Sequence, residues 1–280
     1  MAYFSSFRNR LVLIVGLLCI VVLGGTLVEK GLTKQTSPSG PQVSKEIDTS
    51  VSDAIKSRRT AYGPGEVATE GHIILGTENS NGTTKVYTIA SYAAFGFENG
   101  IFTTVSGSGA IPTVITFSKN DHGEYSLLDY KEPMDGAGNT DSLKKMFPNR
   151  YREQVLSADK YYSELSKQQE AQAAEYLKSI GRTAQVSAAH VPKKLPDINV
   201  QASNKLFSEL TKSNPFLNNC PYWLGTREQI ENGIRYIYET AQSKTSDGYD
   251  LITFRKTKEG GTVVEEEKYK IVGLEPQLIG

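Results

Sequence analysis

The chain has 280 residues, with 31 Lys plus Arg against 31 Asp plus Glu, 38% hydrophobic residues, two cysteines and three histidines. The charge balance excludes a strongly basic nucleic-acid binder, and the scarce cysteine excludes a disulfide scaffold; 25 glycines, 11 prolines and 9% aromatics exclude a collagen-like or disordered chain. At the usual ~100 to 200 residues per domain, the length allows one or two domains with a proper core.

Arg8 and Arg10 precede residues 11–28 (LVLIVGLLCIVVLGGTLV), a run with no charge. As a helix it would span about 27 Å, close to the ~30 Å hydrocarbon core of a bilayer. A cleaved signal peptide would need a small-residue A-x-A site, which does not follow. A lipobox wants a small residue before the cysteine, whereas Leu18 precedes Cys19. The segment is therefore read as an uncleaved transmembrane signal anchor in the cell membrane. Residues 1–10 form a cytoplasmic tail, because the arginines lie on the short side, and everything after 28 is extracytoplasmic. Cys220 is then alone outside the membrane and reads as a small apolar residue.

Residues 29–43 (EKGLTKQTSPSGPQV) are polar and read as a flexible spacer. Ser44 can cap a helix whose Ile47, Val51, Ala54 and Ile55 share one face, and Gly63-Pro64-Gly65 ends it. From Glu66 the period changes to two. Turns at 79–82 and at Glu98-Asn99-Gly100 separate strands near 67–75, 86–97, 101–105, 111–117 and 125–130, which predicts an antiparallel meander. A helix before such a meander suggests a cystatin-like or NTF2-like α+β arrangement, by analogy only.

Helical patterning returns at Thr140. Thr140 or Asp141 caps a segment carrying Leu143, Met146 and Phe147, and Pro148 interrupts it. Ser157 then caps the strongest helix, with Tyr162, Leu165, Ala173, Tyr176 and Ile180 on one stripe and Gly181 as its stop. Residues 44–181 thus form the main α+β domain, and 182–200, with two prolines, reads as a linker. Residues 201–280 form a smaller α+β unit: a helix over 204–212, a short helix opened by a Thr226-x-x-Gln229 capping box and ended by Asn232-Gly233, then a three-stranded sheet over 234–240, 249–256 and 262–272.

The catalytic motifs are weak. His72, His122 and His190 fall in a strand, a turn and the linker with no second histidine near any of them, so no zinc site and no cofactor is expected. Ser142-Leu143-Lys144-Lys145 fits S-x-x-K, the pattern of an acylating serine with Ser142 as nucleophile and Lys145 as its base, but neither S-D-N nor K-T-G accompanies it. Ser106-Gly107-Ser108-Gly109 lacks the following lysine of a phosphate loop and reads as a loop or bulge. Residues 61–139 hold three Lys plus Arg against nine Asp plus Glu, a net charge of −6, so the main sheet is acidic. Tyr222, Trp223, Tyr236, Tyr238 and Tyr249 crowd the last unit; core packing explains most of them, and a ligand or partner groove is the functional alternative.

Two stretches carry a resemblance. One runs from Phe97-Glu98-Asn99-Gly100 through VSGSGAIPTVITFSK to GEYSLLDYKEPMDG; the other runs from NPFLNNCPYWLGTREQIENGIRYIYET through SKTSDGYDLITF to EEEKYKIV. Over residues 60–280 the chain resembles the extracytoplasmic C-terminal regions of BlaR1-like M56-family membrane metallopeptidases of Gram-positive bacteria. It departs from them in having one apolar segment in place of the protease module and no H-E-x-x-H, so peptidase activity does not carry over, and neither does the acylating serine. What the resemblance implies is a bacterial cell-envelope location and a sensing or interaction role, beside a receptor of that type. The expectation is a membrane-anchored, non-catalytic binding protein held by 11–28, with a serine acylase using Ser142 and Lys145, or a structural assembly protein, as alternatives. No nucleic-acid partner is expected.

Overall fold

Helix α1 (Lys45–Lys56) begins where the Ser44 hydroxyl accepts a hydrogen bond from the Ile47 amide, and Glu46 and Asp48 complement its N-terminal dipole. Ile47, Val51, Ala54 and Ile55 are buried, as their spacing predicts. The computed structural model describes residues 44–280. The expected cytoplasmic tail 1–10, the membrane segment 11–28 with Cys19, and the spacer 29–43 lie outside the described residues. Among the described residues no helix is long and apolar enough to cross a membrane.

Five strands follow: β1 (Val67–Ser80), β2 (Thr83–Glu98), β3 (Ile101–Gly107), β4 (Ile111–Lys119) and β5 (Tyr125–Lys131). β2 is the spine, buried on both faces along most of its length. Its alternation sorts two cores. Val86, Ala90, Tyr92 and Ala94 pack with the apolar stripe of α1. Tyr87 and Ile89 pack with Leu143, Phe147, Val155 and Leu165, while Ala93, Phe95 and Phe97 pack with Ala173 and Leu177. The protein is therefore α+β, with a large antiparallel sheet between helices.

The expected meander needs correcting. β3 does not pair with β4; both pair with β2, β3 beside Ala93–Glu98 and β4 beside Thr83–Ala90. Sixteen residues of β2 are long enough to seat two shorter strands end to end. The chain changes lanes at Ser106-Gly107-Ser108-Gly109, where Ser108 N donates to Tyr92 O and Ser108 Oγ accepts from Tyr92 N.

Helices α2 (Asn139–Met146), α3 (Arg152–Leu156) and α4 (Tyr162–Ser179) cover the face of β2 opposite α1. Two expected caps are not made. Gly138 occupies the cap position of α2 in place of Thr140 or Asp141, and the Ser157 hydroxyl turns back to donate to Glu153 O, so a short 3-10 turn leads into α4. On α4, Leu165, Gln169, Ala173 and Leu177 are buried, whereas Tyr162 and Ile180 are exposed. Gly181 ends it at φ +69°.

The open edge of β1 is closed by side chains of α4. Gln168 exchanges two hydrogen bonds with the backbone of His72 (2.9 and 3.2 Å), and Gln172 exchanges two with the backbone of Glu70 (3.3 and 2.7 Å). A helical i, i+4 spacing rises about 6 Å and a strand i, i+2 spacing about 6.6 Å, so two glutamine amides fit two successive outward-facing strand residues.

Residues 182–200 carry β6 (Val186–Ser187), which pairs parallel to β3, and they bury Ala188. Helix α5 (Val200–Asn204), a π-helical stretch (Lys205–Leu210), α6 (Thr211–Ser213) and α7 (Pro215–Asn219) follow. Next come β7 (Gly225–Glu231), β8 (Ile234–Lys244), β9 (Asp250–Lys258), β10 (Val263–Val272) and β11 (Glu275–Leu278), which pair in sequence order. The three-stranded sheet expected here thus has five strands. The capping box at Thr226-x-x-Gln229 is overturned: Gly225–Glu231 is a strand, and Asn232-Gly233, at φ +51° and +78°, is the hairpin turn to β8. An Asn-Gly pair at positive φ is what a tight hairpin needs, and that outweighs a four-residue helix signature.

The two strand groups share one sheet. Glu98 pairs with Arg227, and the tip of the β2–β3 hairpin docks on β7 through Asn99 N to Thr226 O (3.0 Å) and Thr226 N to Asn99 Oδ1 (2.8 Å). Gly225 sits at φ +145°, and a Cβ there would fall 2.0 Å from Asn99 Oδ1, so only glycine lets the hairpin tip approach.

Candidate functional site

β1 and β7 lie along the same edge of β2, one after the other, and the sheet splits where β7 leaves it. The split opens a cleft of about 900 Å³, within the ~300 to 1,000 Å³ range of ligand sites. Gly63-Pro64-Gly65-Glu66 form one wall, Arg227 to Ile230 the other, and Gly96 to Glu98 the floor. The first wall is fixed to β3, where Gly63 N donates to Ser106 Oγ (2.8 Å), and Asn219 and Tyr222 also line the cleft.

Three acids and two bases line this space. Behind the wall, Arg235 binds Glu66 through two nitrogens at 2.6 Å each and reaches Glu228 at 3.0 Å. Arg182 also holds Glu228 at 2.6 Å. Both guanidiniums lie over the Phe97 ring, at 4.0 Å for Arg182 and 5.3 Å for Arg235. Glu98 is almost fully buried; Lys193 Nζ lies 3.3 Å from its Oε2 as an ion pair without the directionality of a hydrogen bond. Lys193 comes from the stretch expected to be a linker. Arg227 has no carboxylate within 4.0 Å among the described residues and rests 4.8 Å over the Trp223 ring, which Lys193 covers at 4.0 Å.

The five aromatics of the expected groove separate. Trp223 and Tyr238 are core residues; Tyr222 is exposed, stands edge-on to Trp223 at 5.0 Å and lines the cleft. Tyr236 lies under Lys256 and Tyr249 under Lys270, both away from the cleft. Lys193, Arg227 and Asn219 carry no sequence mark of a site, and Glu98 and Ser106 are marked only as parts of a turn and a loop, because elements distant in the chain bring the five together. Arg227 is concealed inside the misread capping box.

Ser142 Oγ donates to Asn139 O (2.8 Å) and accepts from Met134 N (2.9 Å), while Lys145 is exposed and makes no bond to it. The hydroxyl is thus committed to local helix geometry. Cys220 is a free buried cysteine whose thiol burial pushes up to about 12, which suppresses the nucleophilic thiolate.

His72 is the one histidine with ionic partners on both ring nitrogens: Nδ1 lies 2.8 Å from Glu70 and Nε2 lies 3.1 Å from Asp48 on α1. Burial disfavours its charge, but the bonds to Glu70 and then Asp48 outweigh this and raise its pKa. Burial likewise acts to raise Glu70, and the His72 bond and charge overcome it and lower the pKa. The two carboxylates sit on opposite edges of the ring and cannot converge on one ion. Among the described residues no group of three His, Cys, Asp or Glu side chains is placed to hold a metal. His122 is exposed, and His190 Nδ1 bonds the Thr104 carbonyl.

Of the nine acids in residues 61–139, Glu66, Glu78 and Glu98 are paired by Arg235, Arg150 and Lys193, all from outside the segment. The net charge of −6 is therefore partly cancelled by the fold. No family model, no curated protein and no solved structure matches the chain.

Proposed function

We propose that this chain is a membrane-anchored, extracytoplasmic binding or sensing protein of a bacterial cell envelope, acting by occupancy of the cleft and without covalent chemistry. The observation that carries the reading is the cleft itself: a preformed concavity at the split of the sheet, with an exposed aromatic and a cation, Arg227, that has no acid partner among the described residues. Anchoring by residues 11–28 is supported by their uncharged length. The resemblance to receptor-type membrane metallopeptidases supports a place beside such a receptor. For residues 44–133, α1 lying on one face of β1, β2, β4 and β5 supports a cystatin-like or NTF2-like arrangement.

An occupant touching Gly63–Glu66 on one wall and Arg227–Ile230 on the other contacts both strand groups at once. Its differential affinity then biases how they sit together, which is the requirement for a sensor. The test is site-specific photo-crosslinking of the full chain in its own envelope, with the reactive residue at Ile230 in the cleft or at Val263 on β10 as control. A discrete mass adduct is expected at Ile230 alone. Equal labelling at both positions, or none at Ile230, overturns the proposal.

A further inference from the structure

We infer that the cleft is built for a ligand with an anionic head, a carboxylate or phosphoryl group, seated on Arg227 with a flat apolar body against Tyr222. This rests on the reading of the cleft as a binding site. The argument is one of charge matching among neighbours. Glu66 and Glu228 are hydrogen-bonded by Arg235 and Arg182, and the charge of Glu98 is matched by the Lys193 ammonium at 3.3 Å, although its buried Oε2 accepts no hydrogen bond. Arg227 remains as the cation of the lining without an acid partner among the described residues. It cannot borrow Glu98, which faces it across the β2–β7 pair but is already engaged by Lys193 and almost fully buried.

Lys193 is neutralised by Glu98, so Arg227 is the cation that this end of the cleft offers to an incoming anion. The Trp223 ring holds both cations, Lys193 at 4.0 Å and Arg227 at 4.8 Å. A guanidinium offers a planar fork of donors that matches a carboxylate or phosphate in two parallel bonds. Trp223 packs one edge of this platform, and Tyr222, 54% exposed, extends it into solvent; the apolar Ile230, 48% exposed, lines the same cleft. A cationic ligand would have to displace Lys193 from a buried carboxylate, which is the costlier exchange.

Trp223 is the single tryptophan of the chain, so its fluorescence and indole N–H resonance report on this spot. The experiment titrates the full-length protein with benzoate, phenyl phosphate, inorganic phosphate, benzamide and benzylamine. Benzoate or phenyl phosphate should shift the Trp223 signals saturably, with benzamide and benzylamine at least tenfold weaker. Arg227→Gln should weaken the anion on the order of ten- to hundredfold, and Arg227→Lys should weaken it less. An effect of inorganic phosphate equal to that of phenyl phosphate would assign the site to the free anion and overturn the apolar half of the proposal. Benzamide or benzylamine binding as well as benzoate, or an anion effect that survives Arg227→Gln, overturns the anion assignment while leaving the cleft as a site. Silence from every probe counts against both.

Discussion

Close approach between backbone segments turns single residues into constraints. At Gly71 a Cβ would lie 2.5 Å from the Leu165 carbonyl oxygen and 2.8 Å from its Cα, so α4 rests directly on β1 there. Those are backbone atoms and cannot rotate away. Gly71→Ala should therefore lower stability by about 1 to 3 kcal/mol or more, the range for overpacking a core. At Gly109 nothing lies within 4 Å of the added methyl, and Gly109→Ala should be nearly silent. Urea denaturation of both variants checks the contrast, and equal effects would refute the close-packing explanation. Such contacts are not legible in sequence. Gly71 reads there as an interior strand residue, because the partner that demands glycine is Leu165 on a helix far along the chain. The cleft shares this character: Glu98 and Arg227 each belong to a readable hairpin, yet their pairing belongs to neither.

Elements are held by a few polar bridges whose chemistry makes them sensitive to conditions. α1 is bound to β1 through Asp48 and the His72 ring, which also holds Glu70. Both ring nitrogens face carboxylates, so each must donate and the charged imidazolium is the form that fits. Folding raises the His72 pKa, so this contribution is complete below the unfolded value of about 6.5 and is lost as pH climbs through the folded value. Folding lowers the Glu70 pKa, so that part is present above the unfolded carboxylate value of about 4.3 and is lost as pH falls through the folded one. The wild-type chain should lose stability as pH rises above about 6.5, and His72→Gln should flatten that slope. Denaturant unfolding from pH 5.5 to 8.5 measures it, and identical slopes would sink the idea.

The glutamine clamp gives the second prediction at this scale. Gln168→Ala with Gln172→Ala removes four hydrogen bonds to the β1 backbone and bares its edge, at about 1 kcal/mol per bond. The expected outcome is about 2 to 4 kcal/mol lost together with concentration-dependent self-association in light scattering, since an open strand edge is a template for pairing. Substitution without association would mean that the edge is protected otherwise. The face of α1 was readable because its period of 3.6 is local, and most strands were readable from their period of two. The glutamines were not, because a polar residue on a half-buried helix carries no pattern that distinguishes an edge clamp from a solvated face. β7 is concealed for a related reason: T-x-x-Q is compatible with a strand whenever the turn after it is Asn-Gly.

At the scale of the whole molecule, two strand groups with separate cores are joined by little backbone pairing. Side-chain chemistry carries much of the junction, chiefly Arg235, which reaches from β8 to Glu66 at the head of β1 and to Glu228 on β7. The Arg235 and Glu66 side chains are 10% and 6% exposed, so removing one partner strands a charge in a poorly solvated place. Arg235→Gln should cost about 3 to 5 kcal/mol, the range for breaking a buried pair, whereas Arg182→Gln should cost less because its side chain is 26% exposed. Adding Glu66→Gln to Arg235→Gln should return part of the loss, since the second change removes the orphaned charge rather than another contact. The coupling of the two groups is read at the same time. Trp223 packs at the junction, so in the wild type its fluorescence should follow far-UV circular dichroism through one transition, and in Arg235→Gln the two curves should separate. Coincident curves in the variant, with no recovery in the double substitution, would show that the backbone pairing at Glu98 and Arg227 and the Asn99 docking suffice to make the sheet one cooperative body.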